Sequence, residues 1–96
     1  MEVQVKEFTT DALMQEVLEN RIKNTARVLK CCAEIEKQAK ESGDSRGMGF
    51  SYYYEGETYY VLNETEKMFR KMAEAISYLE ESMQWELIAR AYNLMG

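Results

Sequence analysis

Apolar residues recur at helical spacing in five stretches of this 96-residue chain, and no proline interrupts them. Because proline is the residue that most strongly breaks a helix, each stretch is free to form one continuous helix. The stretches are residues 9–23, 24–41, 45–62, 64–82 and 84–96. The pattern predicts an all-α fold of about five helices.

Three of these helices carry a clear apolar stripe, which marks the side expected to face the core. Thr9 or Thr10 suits the cap of the first helix, and Gly43 and Asp44 suit the turn between the second and third. Asn63 suits the next turn, before Glu64 or Thr65. The stripes are Leu13, Met14, Val17, Leu18 and Ile22; Val28, Leu29, Cys32, Ile35 and Ala39; and Met68, Phe69, Met72, Ala75, Ile76 and Leu79.

The chain matches itself when it is shifted by forty residues. The second helix then falls on the fourth, and the start of the third falls on the fifth. One offset that holds across two helices predicts a helical repeat. Identical residues meet at Thr25 and Thr65, Ala33 and Ala73, Glu34 and Glu74, Glu41 and Glu81, Ser42 and Ser82, Tyr52 and Tyr92, and Gly56 and Gly96.

Composition narrows the possible functions. The formal charge is −5 and the pI is near 4.8, which argues against a general binder of nucleic acid or of anionic membranes. Basic residues crowd the middle of the chain, but acidic residues are interleaved with them, as on a solvated helix face. The sequence has no long apolar run of the kind that a signal peptide or a membrane span needs.

The residues that usually carry catalysis or metal binding are few. Histidine is absent, and the two cysteines, Cys31 and Cys32, are adjacent. Neighbours on a helix point about 100° apart, so a disulfide between them would be strained. We interpret them as packing residues of a reducing compartment, the cytoplasm, with Cys32 in the core. No pattern of residues supports an enzyme, a metal site or a cofactor.

The tyrosine-rich stretch carries a resemblance to a known family. Residues Tyr52-x2-Glu55-Gly56-x2-Tyr59 resemble the first-helix signature of the tetratricopeptide repeat, W-x2-L-G-x2-Y. Tyr52 replaces the tryptophan and Glu55 replaces the leucine. The period of forty and the "ESGDSRG" turn are similar to the bacterial long-repeat variety of that family.

The resemblance implies antiparallel helix-turn-helix units stacked as a short right-handed α-solenoid. It covers residues 24–96, whereas the first helix lacks the signature. We therefore expect a divergent first unit or cap at residues 8–42, a complete unit at 44–82 and a partial unit at 84–96 of a longer protein. The residues that the resemblance assigns to packing between helices are Tyr52, Gly56, Tyr59, Met68, Met72, Ala75, Tyr92 and Gly96.

The family binds its partners in a concave groove lined by the first helix of each unit. The resemblance places six residues of this chain there: Phe50, Tyr53, Glu57, Tyr60, Arg90 and Asn93. Thr10, Leu13 and Val17 occupy the matching positions of the first helix. The groove lacks the Lys/Asn/Arg set with which some members bind a C-terminal carboxylate.

The leading functional prediction is a non-catalytic module that binds a protein or peptide. The resemblance suggests the N-terminal regulatory or sensory region of a bacterial signalling protein, such as a GGDEF diguanylate cyclase. An alternative is a homodimerisation module of a transcription regulator or other multidomain protein. A small-molecule-binding domain or an enzyme is the third class. The dimer would use the last helix, whose exposed side is expected to carry Leu87, Ile88, Ala91, Leu94 and Met95.

Overall fold

A computed structural model describes residues 4–96, apart from the side chain of Lys6. A short 3-10 turn, Val5–Glu7, precedes five α-helices. These are α1 (Thr10–Asn20), α2 (Thr25–Ser42), α3 (Ser45–Val61), α4 (Thr65–Glu81) and α5 (Trp85–Met95). The predicted all-α class is confirmed, and the described residues contain no strand.

The turns between the helices share one backbone feature. Each contains a residue in the left-handed region, namely Ile22, Gly43, Asn63 or Met83, with φ between 57° and 68°. After α2, α3 and α4, the amide of residue 44, 64 or 84 donates to the carbonyl five positions earlier, at 2.8–2.9 Å. This bond is typical of helix ends that close on a left-handed residue. The same turn thus follows α2 and α4, forty residues apart.

Side-chain caps fix where three of the helices begin. Thr9 accepts a hydrogen bond from the amide of Ala12, and Asn24 accepts one from the amide of Arg27. At the start of α3, Oδ1 of Asp44 accepts from the amide of Gly47 at 3.1 Å. The predicted pairing of Gly43 as the end of one helix with Asp44 as the cap of the next is confirmed.

Helix α3 lies at the centre of the molecule. It packs against α2 and α4, which precede and follow it, and it also touches α1 and α5. Every residue from 47 to 58 is consequently buried. Helices α1, α3 and α5 lie next to one another in that order, and α2 and α4 each pack against two of them. We call the surface formed by α1, α3 and α5 the inner face.

The core follows most of the predicted apolar stripes but not all of them. Leu18, Ile22 and Phe69 were expected to pack inside, yet they are 45%, 61% and 43% exposed. Cys31 and Cys32 are both fully buried, although only Cys32 was expected in the core. Helix α2 packs against both α1 and α3, so two adjacent positions on it are covered.

Two glycines of α3 allow α4 to approach closely. A Cβ on Gly49 would lie 2.8 Å from Cδ2 and 3.1 Å from the backbone nitrogen of Leu79. A Cβ on Gly56 would lie 2.9 Å from Cε of Met72. Only residues without a side chain leave room for this contact. Gly56 was predicted for this role, whereas Gly49 was not.

Candidate functional site

A buried aromatic group forms the floor of the inner face. Tyr53 and Tyr54 are 1% and 3% exposed, and their rings meet edge-on at 4.8 Å. Phe50 packs on Tyr54 at 4.7 Å. Burial, followed by the nearby charge of Glu57, raises the pKa of Tyr53 to about 12. Both phenols therefore stay protonated at neutral pH and add packing area rather than charge.

An ion pair fixes the end of α1 against α3. Nε and Nη2 of Arg21 donate to the two carboxylate oxygens of Glu57 at 2.9 and 2.6 Å. The guanidinium also lies over the ring of Tyr54, 5.4 Å from its centroid. The hydrogen bonds to Glu57 raise the pKa of Arg21. A planar, two-bond pair of this kind holds both side chains in one orientation.

The accessible part of the inner face lies beyond this floor. Tyr60, one helical turn after Glu57, is 52% exposed, and Asn93 on α5 is also exposed. Arg90 is half-buried, and its Nη2 donates to Glu86 at 2.8 Å. The charge of Arg90 also acts on Tyr53 and Tyr54, which places α5 beside the aromatic floor.

Of the six predicted groove residues, the structure therefore leaves Tyr60, Arg90 and Asn93 accessible. Phe50, Tyr53 and Glu57 were expected at the open surface and are instead buried, as are Leu13 and Val17 of α1. The reason is that α1 and α5 flank α3 closely enough to cover its inner side. Arg21 was missed, because it was expected inside the first helix, whereas α1 ends at Asn20 and Arg21 reaches Glu57, 36 positions later.

Most of the predicted packing residues lie between helices. Tyr52 stacks on Tyr78 with ring centroids 5.8 Å apart, and Tyr59 is partly buried beside Lys67. Met68, Met72 and Ala75 are buried, with Met72 against Gly56. Tyr92 and Gly96 are corrections: Tyr92 is 57% exposed and Gly96 is exposed, since no described helix covers that side of α5. The residues of α5 that were expected to be open, Leu87, Ile88, Ala91, Leu94 and Met95, instead face the core.

A second polar cluster lies between α2, α3 and α4. Glu55 is only 7% exposed, and its Oε1 lies 3.4 Å from Nζ of Lys71. Burial raises the pKa of Glu55 to about 8, and the side chain of Glu36, through a hydrogen bond and its charge, adds to the effect. Burial lowers the pKa of Lys71, but Glu55 and Glu36 outweigh that effect and raise it. Position 55 therefore holds a buried carboxyl that largely keeps its proton at neutral pH, beside the ammonium group of Lys71.

Neither polar cluster has the form of a metal site. Within residues 4–96, no group of three or more His, Cys, Asp or Glu side chains is placed to hold a metal ion. A depression of about 310 Å³ lies at the turn between α2 and α3, lined by Lys40, Asp44, Met48 and Tyr78 among others. It is separate from the inner face.

No protein-family model, curated protein or solved structure matches this chain. Within the part of the chain that the structure describes, none of the helices is long and apolar enough to cross a membrane.

Proposed function

We propose that this chain is a non-catalytic helical-repeat module that binds a protein partner through its inner face. The observation that most supports this proposal is that the inner face combines accessible side chains with buried side chains that are held in place beneath them. Tyr60, Arg90 and Asn93 are open to solvent, while the buried rings and the Arg21–Glu57 pair beneath them are held in place. Exposed tyrosine and arginine on a rigid support are common anchors of protein interfaces.

The charges of the face favour a peptide segment of mixed character over a strongly charged ligand. The guanidinium of Arg21 is neutralised by Glu57, and that of Arg90 is paired with Glu86. The groups of the inner face that remain available to a ligand are the hydroxyl of Tyr60, the amide of Asn93 and the half-buried side chain of Arg90. Such groups suit a peptide that contributes an apolar side chain to Tyr60 and backbone hydrogen bonds to Asn93.

The resemblance to tetratricopeptide repeats supplies the proposed context. A module of that kind in a bacterial signalling protein would present its partner to an output domain such as a GGDEF cyclase. The buried thiols of Cys31 and Cys32 suit a cytoplasmic location.

The proposal is tested with peptides selected from a random display library on the immobilised chain. The dissociation constant is then measured for the parent and for the variant Tyr60→Ala/Asn93→Ala. The control is Phe69→Ala/Lys37→Ala, which removes an aromatic and a polar side chain from exposed positions of α4 and α2. All four positions belong to exposed residues, so the fold is expected to persist in both double variants.

We expect the inner-face variant to weaken binding about tenfold or more, because truncating an anchor residue of an interface costs about 2 kcal/mol or more. The control is expected to bind as the parent does. Equal affinity for the parent and the inner-face variant would overturn the proposal, and so would a selection that yields no peptide.

A further inference from the structure

Two carboxyl groups meet where α2 packs against α3. Glu55 of α3 is 7% exposed, and its Oε1 is shielded from water. No N–H group within residues 4–96 donates a hydrogen bond to this oxygen. The side chain that Glu55 meets on α2 is that of Glu36, which lies within hydrogen-bond distance. We call these two residues the acid pair.

A hydrogen bond inside the acid pair requires a proton, because ionised carboxylates can only accept. With one proton between them, Glu36 and Glu55 are bonded and carry a single negative charge. Without that proton, two negative charges lie next to each other at a site almost closed to water, where like charges repel strongly. The proton therefore decides whether the acid pair attracts or repels the two helices.

A lysine on a third helix makes the effect of this proton unequal on the two sides of α3. Nζ of Lys71, on α4, lies 3.4 Å from Oε1 of Glu55 and 4.8 Å from the ring centroid of Tyr52. An ionised Glu55 is thus attracted to α4. One ammonium group cannot balance two carboxylates, so loss of the proton leaves α3 bound to α4 and repelled by α2.

We propose that the acid pair is a pH-sensitive switch in the contact between α2 and α3. With its proton, the pair joins the two helices by a hydrogen bond. Without the proton, α2 moves away from α3, while α3 stays on α4 through Glu55 and Lys71. The chain connection between α2 and α3 is the turn at Gly43 and Asp44, so this turn accommodates the movement.

The direction of the switch follows from the pKa of Glu55. Burial, with the hydrogen bond and charge of Glu36, raises this pKa from 4.5 to about 8. Separation of α2 from α3 admits water and returns the pKa towards 4.5. Between these two values the closed contact keeps a proton that the open form has lost, so opening becomes easier as pH rises. Above about pH 8 both forms have lost the proton, and the dependence ends.

The other titratable groups around the acid pair do not compete with it in this pH range. Burial, followed by the charge of Glu55, holds the pKa of Cys32 well above its ordinary value, and burial also raises the pKa of Tyr52. Both groups therefore stay neutral while the contact is closed. The groups that act on this cluster are Cys32 and Glu36 of α2, Tyr52 of α3, and Lys71 and Glu74 of α4.

The cysteines of α2 report directly on its separation from α3. Cys31 and Cys32 are the only cysteines of the chain and are completely buried. In a Cys31→Ala background, Cys32 beside the acid pair is the single thiol, and a methanethiosulfonate reagent in excess reacts with it only when α2 opens. Labelling rates are compared with those of Glu55→Gln in the same background. Because that variant does not titrate at position 55, the ratio of the two rates removes the pH dependence of the thiol itself.

We expect this ratio to rise about tenfold or more between about pH 6 and about pH 8 and then to level off. Glu36→Gln is expected to reduce the rise at least about threefold, since its amide can donate to an ionised Glu55. The matched control is Glu41→Gln, the same change at an exposed position of α2, and it is expected to behave like the parent.

Three results would contradict the switch. A ratio that is constant with pH would show that Glu55 does not control the contact. The full rise in Glu36→Gln would show that burial of Glu55 acts without the pair. Labelling that requires the same free energy as global unfolding in urea at every pH would show that α2 does not open separately. The assay contains no peptide, so its outcome is independent of the proposed function.

Discussion

At the scale of single residues, the two glycines of α3 differ in what a side chain would meet. At Gly49 a Cβ would press on the backbone of Leu79 as well as on its side chain, whereas at Gly56 it meets the flexible end of Met72. Backbone atoms of a packed helix move less easily than a methionine thioether. The pattern W-x2-L-G-x2-Y drew attention to Gly56, but Gly49 is the tighter position.

We expect Gly49→Ala to lower the free energy of unfolding by about 1–3 kcal/mol, because overpacking outweighs the helix preference of alanine. Gly56→Ala is expected to stay within about 1 kcal/mol of the parent, since Met72 adjusts. Urea denaturation of both variants measures the difference. Equal losses would show that α4 does not approach α3 most closely at Gly49.

The buried carboxyl of Glu55 makes stability depend on pH. Its pKa is raised from 4.5 to about 8. Between these values the folded chain keeps a proton that the unfolded chain has lost, so the free energy of unfolding falls as pH rises. Glu36 and Cys32 face this carboxyl from α2, and Lys71 and Glu74 lie on the α4 side.

Relative to the variant Glu55→Gln, which does not titrate, the parent is expected to lose roughly 2–4 kcal/mol between about pH 5 and about pH 8. Denaturation of both proteins at several pH values measures this difference. A constant difference across the range would show that the Glu55 carboxyl keeps an ordinary pKa in the fold.

At the scale of the element, α3 shows why helical periodicity assigned its faces incorrectly. A helix that is covered on one side reveals that side through its apolar stripe. Helix α3 touches all four other helices, and its buried residues include Ser51, Glu55 and Thr58 as well as tyrosines. No stripe distinguishes its faces. The exposure predicted for Tyr53 was therefore wrong, although the helix and its caps were predicted correctly.

The Arg21–Glu57 ion pair connects the end of α1 with α3. Its contribution to the free energy of unfolding can be compared with that of a second ion pair, Arg90–Glu86. Arg21 and Glu57 side chains are 32% and 12% exposed, whereas those of Arg90 and Glu86 are 42% and 80% exposed. Because the first pair is better shielded and has two hydrogen bonds, we expect a coupling energy of about 1–2 kcal/mol. The second is expected to give less than about 0.5 kcal/mol.

Double-mutant cycles with alanine at each position give both coupling energies. The comparison is internal, since each pair joins one arginine to one glutamate. If the Arg21–Glu57 coupling were no larger than that of Arg90–Glu86, the pair would not hold α1 against the inner face.

At the scale of the whole molecule, the number of helices and the turns after α2 and α3 could be predicted because they depend on local signals. The end of α1 at Asn20 was not predicted, since the apolar pattern continues to Ile22. Gly43, Asp44 and Asn63 mark turns through their own backbone preferences. The orientation of α5 could not be predicted in this way. It carries apolar residues on two sides, and only the packing of α4 and α3 decides that Ala91 is buried and Trp85 is exposed.

The forty-residue offset is visible both in the sequence and in the structure. It matches residues of the sequence, and it matches the turn after α2 with the turn after α4. Neither the offset nor the signature identifies Arg21. Its partner Glu57 lies 36 positions later, and neither pattern describes a contact between residues at that distance. The contact between the end of α1 and α3 was therefore one part of the site that could not be predicted from the sequence.

The most direct test of the proposed function is to map the binding of a library-selected peptide onto the backbone by NMR. The amide signals of the ¹⁵N-labelled chain are followed as peptide is added. We expect the largest shifts around Glu57 and Tyr60 of α3 and around Arg90 and Asn93 of α5. Shifts confined to α2 and α4, or to the side of α5 that carries Trp85 and Tyr92, would contradict binding through the inner face.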